Sequence, residues 1–405
     1  MHSVKELKSI RGKRVLVRVD FNVPMEREQI ADDTKIAAAA PTIAWLTGKG
    51  AKVILGTHFG RPKEIKNQKS KIKNRLGLIA MRLGELLKKK VQLVEQWDFT
   101  KITKAIKAMK SGEVLMLPNL RLHPGEEKND PGFSQELAKL GQIYVNEAFS
   151  VCHRAHASMV GVPKLLPAYA GLQLMKEITA LQHLISNPQL PLIVLMGGGK
   201  ITDKITMMQT MVKRANAVLV GGALATHFFK ALGYGVGASR IETEGVRLAK
   251  KLLGNKKIVL PKDVVVGSRD GKRAWVVEIE NQKSKIKNQK SLICSKPYGI
   301  WDIGPQTILE FARQIKSAKT LIWNGPLGLY EVKRYAHGTL ALGRLFAARS
   351  KGKAFGVVGG GETIDAMKQT SMTEYVDFIS TGGGAMLEFL GGKKLPGIAA
   401  LYGAK

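Results

Sequence analysis

The sequence is poor in cysteine, and its two residues, Cys152 and Cys294, cannot build a disulfide framework. That scarcity favours a reducing compartment. Aromatic residues are scarce too, at 6%, which argues against stacking platforms for single-stranded nucleic acid. No apolar run is long enough to cross a bilayer. The charged N-terminus lacks the apolar core of a signal peptide. A cytoplasmic protein with no membrane partner is the expectation. Acidic residues are the last shortage: 32 Asp and Glu stand against 64 Lys and Arg, a formal charge of +32. Such a balance attracts anions, whether nucleic acid, acidic membranes or phosphorylated metabolites; a merely solvated basic surface is the plain alternative. The 405 residues exceed what one core usually serves, so two domains are expected.

Glycine is what the chain has instead, at 43 residues. Three glycine runs recur in its second half: Met196-Gly197-Gly198-Gly199-Lys200, Val358-Gly359-Gly360-Gly361-Glu362-Thr363 and Ser380-Thr381-Gly382-Gly383-Gly384. Each follows an apolar segment read as a strand and precedes a segment read as a helix. That layout points bare backbone N–H groups and a helix N-terminus at an anion. One such run is no more than a tight turn; three make a pattern.

The first half alternates strands and helices, as a parallel sheet requires. Residues 14–19, 52–55, 114–117 and 142–145 read as strands, and 33–48 and 75–89 as helices. The strand ends carry Asp20, Asn22, His58, Arg61, Arg121 and Arg154. In an open α/β sheet that edge is where ligands bind. Three arginines on one edge suit a carboxylate or phosphate, which the guanidinium fork matches bidentately. Any one alone reads as a surface ion-pair partner. Cys152, His153 and His156 lack a second group at zinc-like spacing, so histidines beside an anion are the better reading.

A connector, 167–188, holds a helix at 174–185. A second alternation follows, with strands at 192–195, 217–220, 257–260, 321–324, 354–358 and 375–379. Lys200 and Lys204 stand four apart on the expected opening turns of a helix, so both can face one ligand. Glycine with lysine suits a polyphosphate. Neither G-x-x-x-x-G-K-[ST] nor G-x-G-x-x-G is present where a Walker loop or a dinucleotide fold needs it. The octet Asn67-Gln-Lys-Ser-Lys-Ile-Lys-Asn74 recurs unchanged at 281–288. Both copies are read as surface-loop insertions, with basic nucleic-acid tracts as the alternative.

Taken together these motifs resemble the phosphoglycerate kinase family. The stretch from Arg14 to Pro24 (RVLVRVDFNVP) carries the resemblance. So do His58 to Pro62 (HFGRP), Asn119 to Arg121 (NLR) and His153 to His156 (HRAH). In the second half it rests on Gly198 to Lys204 (GGKITDK), Asp302 to Pro305 (DIGP), Trp323 to Pro326 (WNGP) and the two later glycine runs, in the same order. The resemblance implies an α/β protein of two Rossmann-like domains facing across a cleft, each a parallel sheet flanked by helices. The domains implied are 1–168, with a C-terminal tail 391–405 returning to it, and 169–390. It implies reversible phosphoryl transfer between 1,3-bisphosphoglycerate and ADP, giving 3-phosphoglycerate and ATP, with Mg2+ as cofactor. A monomer with no specific nucleic-acid partner is expected, and closure about the connector. A basic nucleic-acid-binding protein and a catalytically impaired homologue are the alternatives.

Carried over by motif, Asp20, Asn22, Lys35, His58, Arg61, Arg121 and Arg154 would hold the phosphoglycerate. Gly198, Lys200, Lys204, Gly222, Asn324, Pro326, Glu331, Gly359, Gly360, Gly361, Glu362, Thr363, Thr381 and Gly382 would hold the nucleotide, with Glu362 also the metal carboxylate. Lys35, Lys200, Gly383 and Gly384 would serve the moving phosphoryl group. Two positions depart from the family pattern. Lys35 stands where the family usually has arginine; it keeps the charge and loses the planar fork. Glu362 stands where the family usually has aspartate, keeping the carboxylate on a longer arm.

Overall fold

The structure is a computed structural model and describes residues 1–60, 69–199, 201, 204–279 and 292–403. Arg61, Lys200 and the second octet at 281–288 lie outside the described residues. The chain divides into two compact units, Met1–Thr179 with Lys394–Lys405, and Ala180–Lys393.

The first unit is built on a seven-stranded parallel sheet. Its order is His2–Ser3, Ala168–Ala170, Ile143–Glu147, Arg14–Val19, Lys52–Gly56, Val114–Met116, Val91–Leu93. Arg14–Val19 is buried on both faces, which explains its nearly unbroken apolar sequence. Val15 and Val17 join Ile36, Ile43 and Leu46 of the helix Thr34–Gly48 in one core. The chain first winds from Arg14–Val19 to Lys52–Gly56, and later returns to the other side at Ile143–Glu147. Strand order reverses there, leaving a crevice at the carboxyl ends. The helix Lys69–Leu87 starts earlier than the sequence suggested. The last six residues of the first octet are therefore helical backbone, not loop: nothing between Lys69 and Arg75 breaks a helix.

The C-terminal helix Pro396–Tyr402 belongs to this unit. Gly397 N donates to Cys152 O at 2.9 Å, and Asn146 Nδ2 to Gly397 O at 3.3 Å. The division between units falls inside the helix Leu172–Ser186. Its first turn is tied to the first unit, because Gln173 N and Leu174 N donate to the Glu147 carboxylate at 3.0 and 3.1 Å.

The second unit repeats the plan with six parallel strands. The order is Ile258–Val259, Ala217–Val220, Leu192–Met196, Thr320–Asn324, Phe355–Gly359, Phe378–Ser380. Here the reversal lies between Leu192–Met196 and Thr320–Asn324. The unit also carries an antiparallel sheet of Ala274–Glu278, Asp263–Gly267 and Gly299–Ile303, which the reading of strict alternation missed. Asp270-Gly271, with Gly271 at φ +77°, is the hairpin signal that gives it away.

Candidate functional site

Each sheet gathers its charged and glycine-rich loops at the crevice where strand order reverses. In the first unit Asp20 follows the Arg14–Val19 strand and is 8% exposed. Lys35 Nζ, from the next helix, lies 2.6 Å from Asp20 Oδ2 and 3.3 Å from Asn22 O. The Ser150 hydroxyl also donates to Asp20. Burial pushes the Asp20 carboxyl upward, and the Lys35 ammonium, the neighbouring His58 and the hydrogen bonds from Lys35 and Ser150 together outweigh it, leaving the acid below the usual carboxylate range. Asn22 Oδ1 accepts from Gly60 N at 3.0 Å, locking the 56–60 loop to the 20–24 loop.

Asn119, fully buried, works the same way. It accepts from Phe59 N at 3.2 Å and Arg121 N at 3.1 Å, and donates to Phe59 O at 2.7 Å. Arg121 Nη1 donates to Gly60 O at 2.7 Å, and its Nε lies 3.2 Å from Glu127 Oε1. Burial, with Arg154 nearby, pulls its pKa below the ordinary value. Arg154 itself is exposed. Thus Asp20, Asn22, Lys35 and Arg121 come together in one bonded set, His58 Nδ1 lies 3.7 Å from Asp20 Oδ1, and Arg154 joins them through its charge.

Sequence reasoning missed what stands behind this set. Arg18 is 1% exposed. It donates from Nε to Ser158 Oγ at 2.8 Å, from Nη1 to Val19 O, and lies 3.2 Å from His58 Nδ1 through Nη2. Ser158 in turn donates to the buried Glu126 carboxylate, at 2.6 Å from Oγ and 3.0 Å from N. A charged residue inside an apolar run was the available signal.

Burial, with these cations, keeps two histidines neutral. Burial, reinforced by Arg18 and Arg121, holds His58 well below the usual imidazole value despite Asp20 beside it. Burial and the charges of Arg18, Arg121 and Arg154 pull His156 down to about 3. In the unfolded chain both protonate near pH 6.5. The unfolded state then binds more protons, so stability from these groups is present above pH 6.5 and is lost as pH falls towards 3. Glu147 works oppositely: burial raises it to about 7. The expected result is that His156→Gln flattens the acid limb of stability against pH between 7 and 4. Urea melts at several pH values check it; parallel curves for parent and variant would refute it.

In the second unit, five strand ends bring glycine turns to one edge. Gly198 has φ +80°, and a β-carbon there would meet Lys204 Nζ at 2.9 Å and Glu362 Oε2 at 3.3 Å. Lys204 is buried and donates to Gly197 O at 2.7 Å. The helix begins at Ile205, so Lys204 sits just before it and not within its opening turns. Gly198 N donates to Pro326 O at 2.7 Å, and Gly222 N to Leu327 O at 2.8 Å. These bonds lash the first glycine turn to the 324–327 loop and to the start of helix Gly222–Ala231. Asn324 is buried and donates to Gly359 O at 2.8 Å; Thr363 Oγ1 accepts from Gly325 N at 2.7 Å. Both hold one loop to the next.

Gly360, at φ +94°, turns the chain into helix Gly361–Gln369, whose first N–H groups have no side-chain cap. A β-carbon on Gly361 or Gly383 would meet nothing within 4 Å. The backbone there faces open space, as an anion cradle requires. Thr381 and Gly382 lie on the same turn, where Gly382 N donates to Ser380 Oγ at 3.1 Å. Gly384 opens the helix Gly384–Leu390. Glu362 and Glu331 are exposed. Among the described residues no three His, Cys, Asp or Glu side chains form a metal cage.

The comparisons with known proteins point one way. The family model described as phosphoglycerate kinase matches residues 4–393. The chain is 42% identical to the phosphoglycerate kinase of Moorella thermoacetica, over 98% of each chain. It is 41% identical to that of Chloroflexus aggregans, over 97% of each. The solved phosphoglycerate kinase of Coxiella burnetii superposes with a TM-score of 0.81 at 33% identity, covering 100% of this chain and 99% of that one. That of Pyrococcus horikoshii gives 0.84 at 30%, covering 99% and 98%. The nucleic-acid alternative finds no support among these relatives. A cation-lined crevice on one sheet and a glycine-lined one on the other, in a chain matched along its length by these kinases, leave one conclusion: the chain belongs to the phosphoglycerate kinase family.

Proposed function

We propose that the protein transfers a phosphoryl group reversibly between 1,3-bisphosphoglycerate and ADP, yielding 3-phosphoglycerate and ATP. The observation that carries this reading is the chemistry of the two crevices. One presents Lys35, His58, Arg121 and Arg154 around a single ionised Asp20. The other presents bare glycine backbone with Lys204 and Glu362. A phosphorylated acid fits the first and a polyphosphate the second. Phosphoryl transfer asks for alignment and charge neutralisation, not a covalent nucleophile. Lys35 would meet charge on the moving group from the acid side, and the turn at Gly383 and Gly384 from the nucleotide side.

Magnesium fits as an ion that arrives with the nucleotide. Such ions are commonly held by one or two carboxylates plus phosphate oxygens, and Glu362 offers one exposed carboxylate beside the turns. When bound, it would neutralise phosphate charge. The protein is proposed to act as a monomer in the cytoplasm. The test is a coupled assay with 3-phosphoglycerate, ATP and magnesium. Saturable turnover is expected; none, from folded protein, would overturn the reading in favour of an impaired homologue.

A further inference from the structure

A cation outside every glycine motif stands over the first glycine turn. A β-carbon on Gly199 would lie 3.3 Å from Arg240 Nη1. With Lys204 and Glu362 against Gly198, three charged groups converge on two adjacent glycines. Arg240 is anchored there. Its carbonyl lies 3.1 Å from the Thr226 hydroxyl on helix Gly222–Ala231. His227 on the same helix accepts from Glu242 N at 2.9 Å through Nε2, while its Nδ1 lies 2.6 Å from Ala223 O. That arrangement needs a neutral ring with its proton on Nδ1, and burial lowers the His227 pKa accordingly. The helix starts against the same turn, since a β-carbon on Gly222 would lie 3.1 Å from Gly198 N.

The far end of Arg240 is less committed. Its Nη2 lies 3.1 Å from Glu242 Oε1, with the arginine side chain 56% exposed. Such a rim pair contributes little, so an arriving phosphate can take the guanidinium from it. Arg240 thus has a fixed root, a weakly held head, and an anion-binding turn beneath it. We infer that Arg240 binds the polyphosphate of the nucleotide at the 197–199 turn, exchanging Glu242 for phosphate oxygens, and so favours di- and triphosphates over nucleosides. This rests on the reading of the second unit as the nucleotide site.

The test uses the full chain with Arg240→Ala and Arg240→Lys. In the coupled assay, Arg240→Ala should raise the KM for ATP about tenfold, as loss of a charge-assisted hydrogen bond implies. Turnover at saturation should change by less than about twofold, because binding is lost from ground and transition states alike. By calorimetry the Kd for ADP should rise about tenfold as well, with the Kd for adenosine unchanged. Arg240→Lys should recover part of the loss. Unchanged ADP affinity in the alanine variant would overturn the inference, as would a parallel loss of adenosine affinity, which marks a distorted fold. If the parent binds ADP but never turns over 3-phosphoglycerate, the kinase reading fails, and the ADP and adenosine titrations still decide the role of Arg240.

Discussion

Lys35→Ala is expected to lower turnover by about 10³-fold, the scale of a cationic clamp in other phosphoryl transferases, while Lys35→Arg retains or raises it. The ammonium is 2.6 Å from Asp20 Oδ2 and 3.3 Å from Asn22 O, and its side chain is 30% exposed. It is therefore oriented from behind by a buried acid and a carbonyl while its front stays open. A positioned charge needs no reorganisation when negative charge develops before it. Alanine removes that charge, and Asp20 keeps its position through Ser150 and Asn22. The loss should therefore appear in kcat more than in KM. Arginine restores the charge and adds a planar fork that can hold Asp20 and a phosphoryl oxygen together. Steady-state kinetics of the two variants decide it. An alanine variant with parental kcat would remove Lys35 from the chemistry and leave it a partner of Asp20 only.

Much of this was legible in the sequence, for a physical reason. Strand tips end in polar residues only where a crevice wants them, so Asp20, His58 and Arg121 announced themselves by following apolar runs. The glycine turns did so because bare backbone is required there. Other features left weaker marks. Arg18 looked like part of a strand, and its partner Glu126 stands 108 positions away in sequence. Arg240 lies in no motif, and its place over Gly199 depends on a helix and a histidine that fix its backbone. The Asp263–Gly267 sheet was hidden by the expectation of strict alternation. Asn324 and Thr363 were visible as motif residues, yet their bonds to Gly359 O and Gly325 N tie loops to one another.

Arg18→Met should destabilise the first unit by about 3–5 kcal/mol, the usual effect of stripping one partner from a buried ionic network. The guanidinium is 1% exposed, and the groups it contacts are a hydroxyl, a carbonyl and an imidazole. Its countercharge is one bond further on, because Ser158 donates to a Glu126 carboxylate that is itself fully buried. The arrangement keeps a positive charge beneath the cation-lined crevice without letting an acid cancel it at close range. It also holds His58 neutral, as the arginine adds to burial in lowering that pKa. Methionine fills the volume and leaves the buried Glu126 with its two hydrogen bonds from Ser158 but with the arginine charge behind Ser158 gone. The double variant Arg18→Met with Glu126→Gln removes both charges and should recover at least about 1 kcal/mol of the loss, the coupling expected within one network. Urea unfolding of the two singles and the double measures that coupling directly. Additive losses would mean the arginine serves His58 and the crevice alone, and that Glu126 is stabilised by the Ser158 and Tyr144 side of the network, where Tyr144 Oη donates to Ser158 O at 2.8 Å.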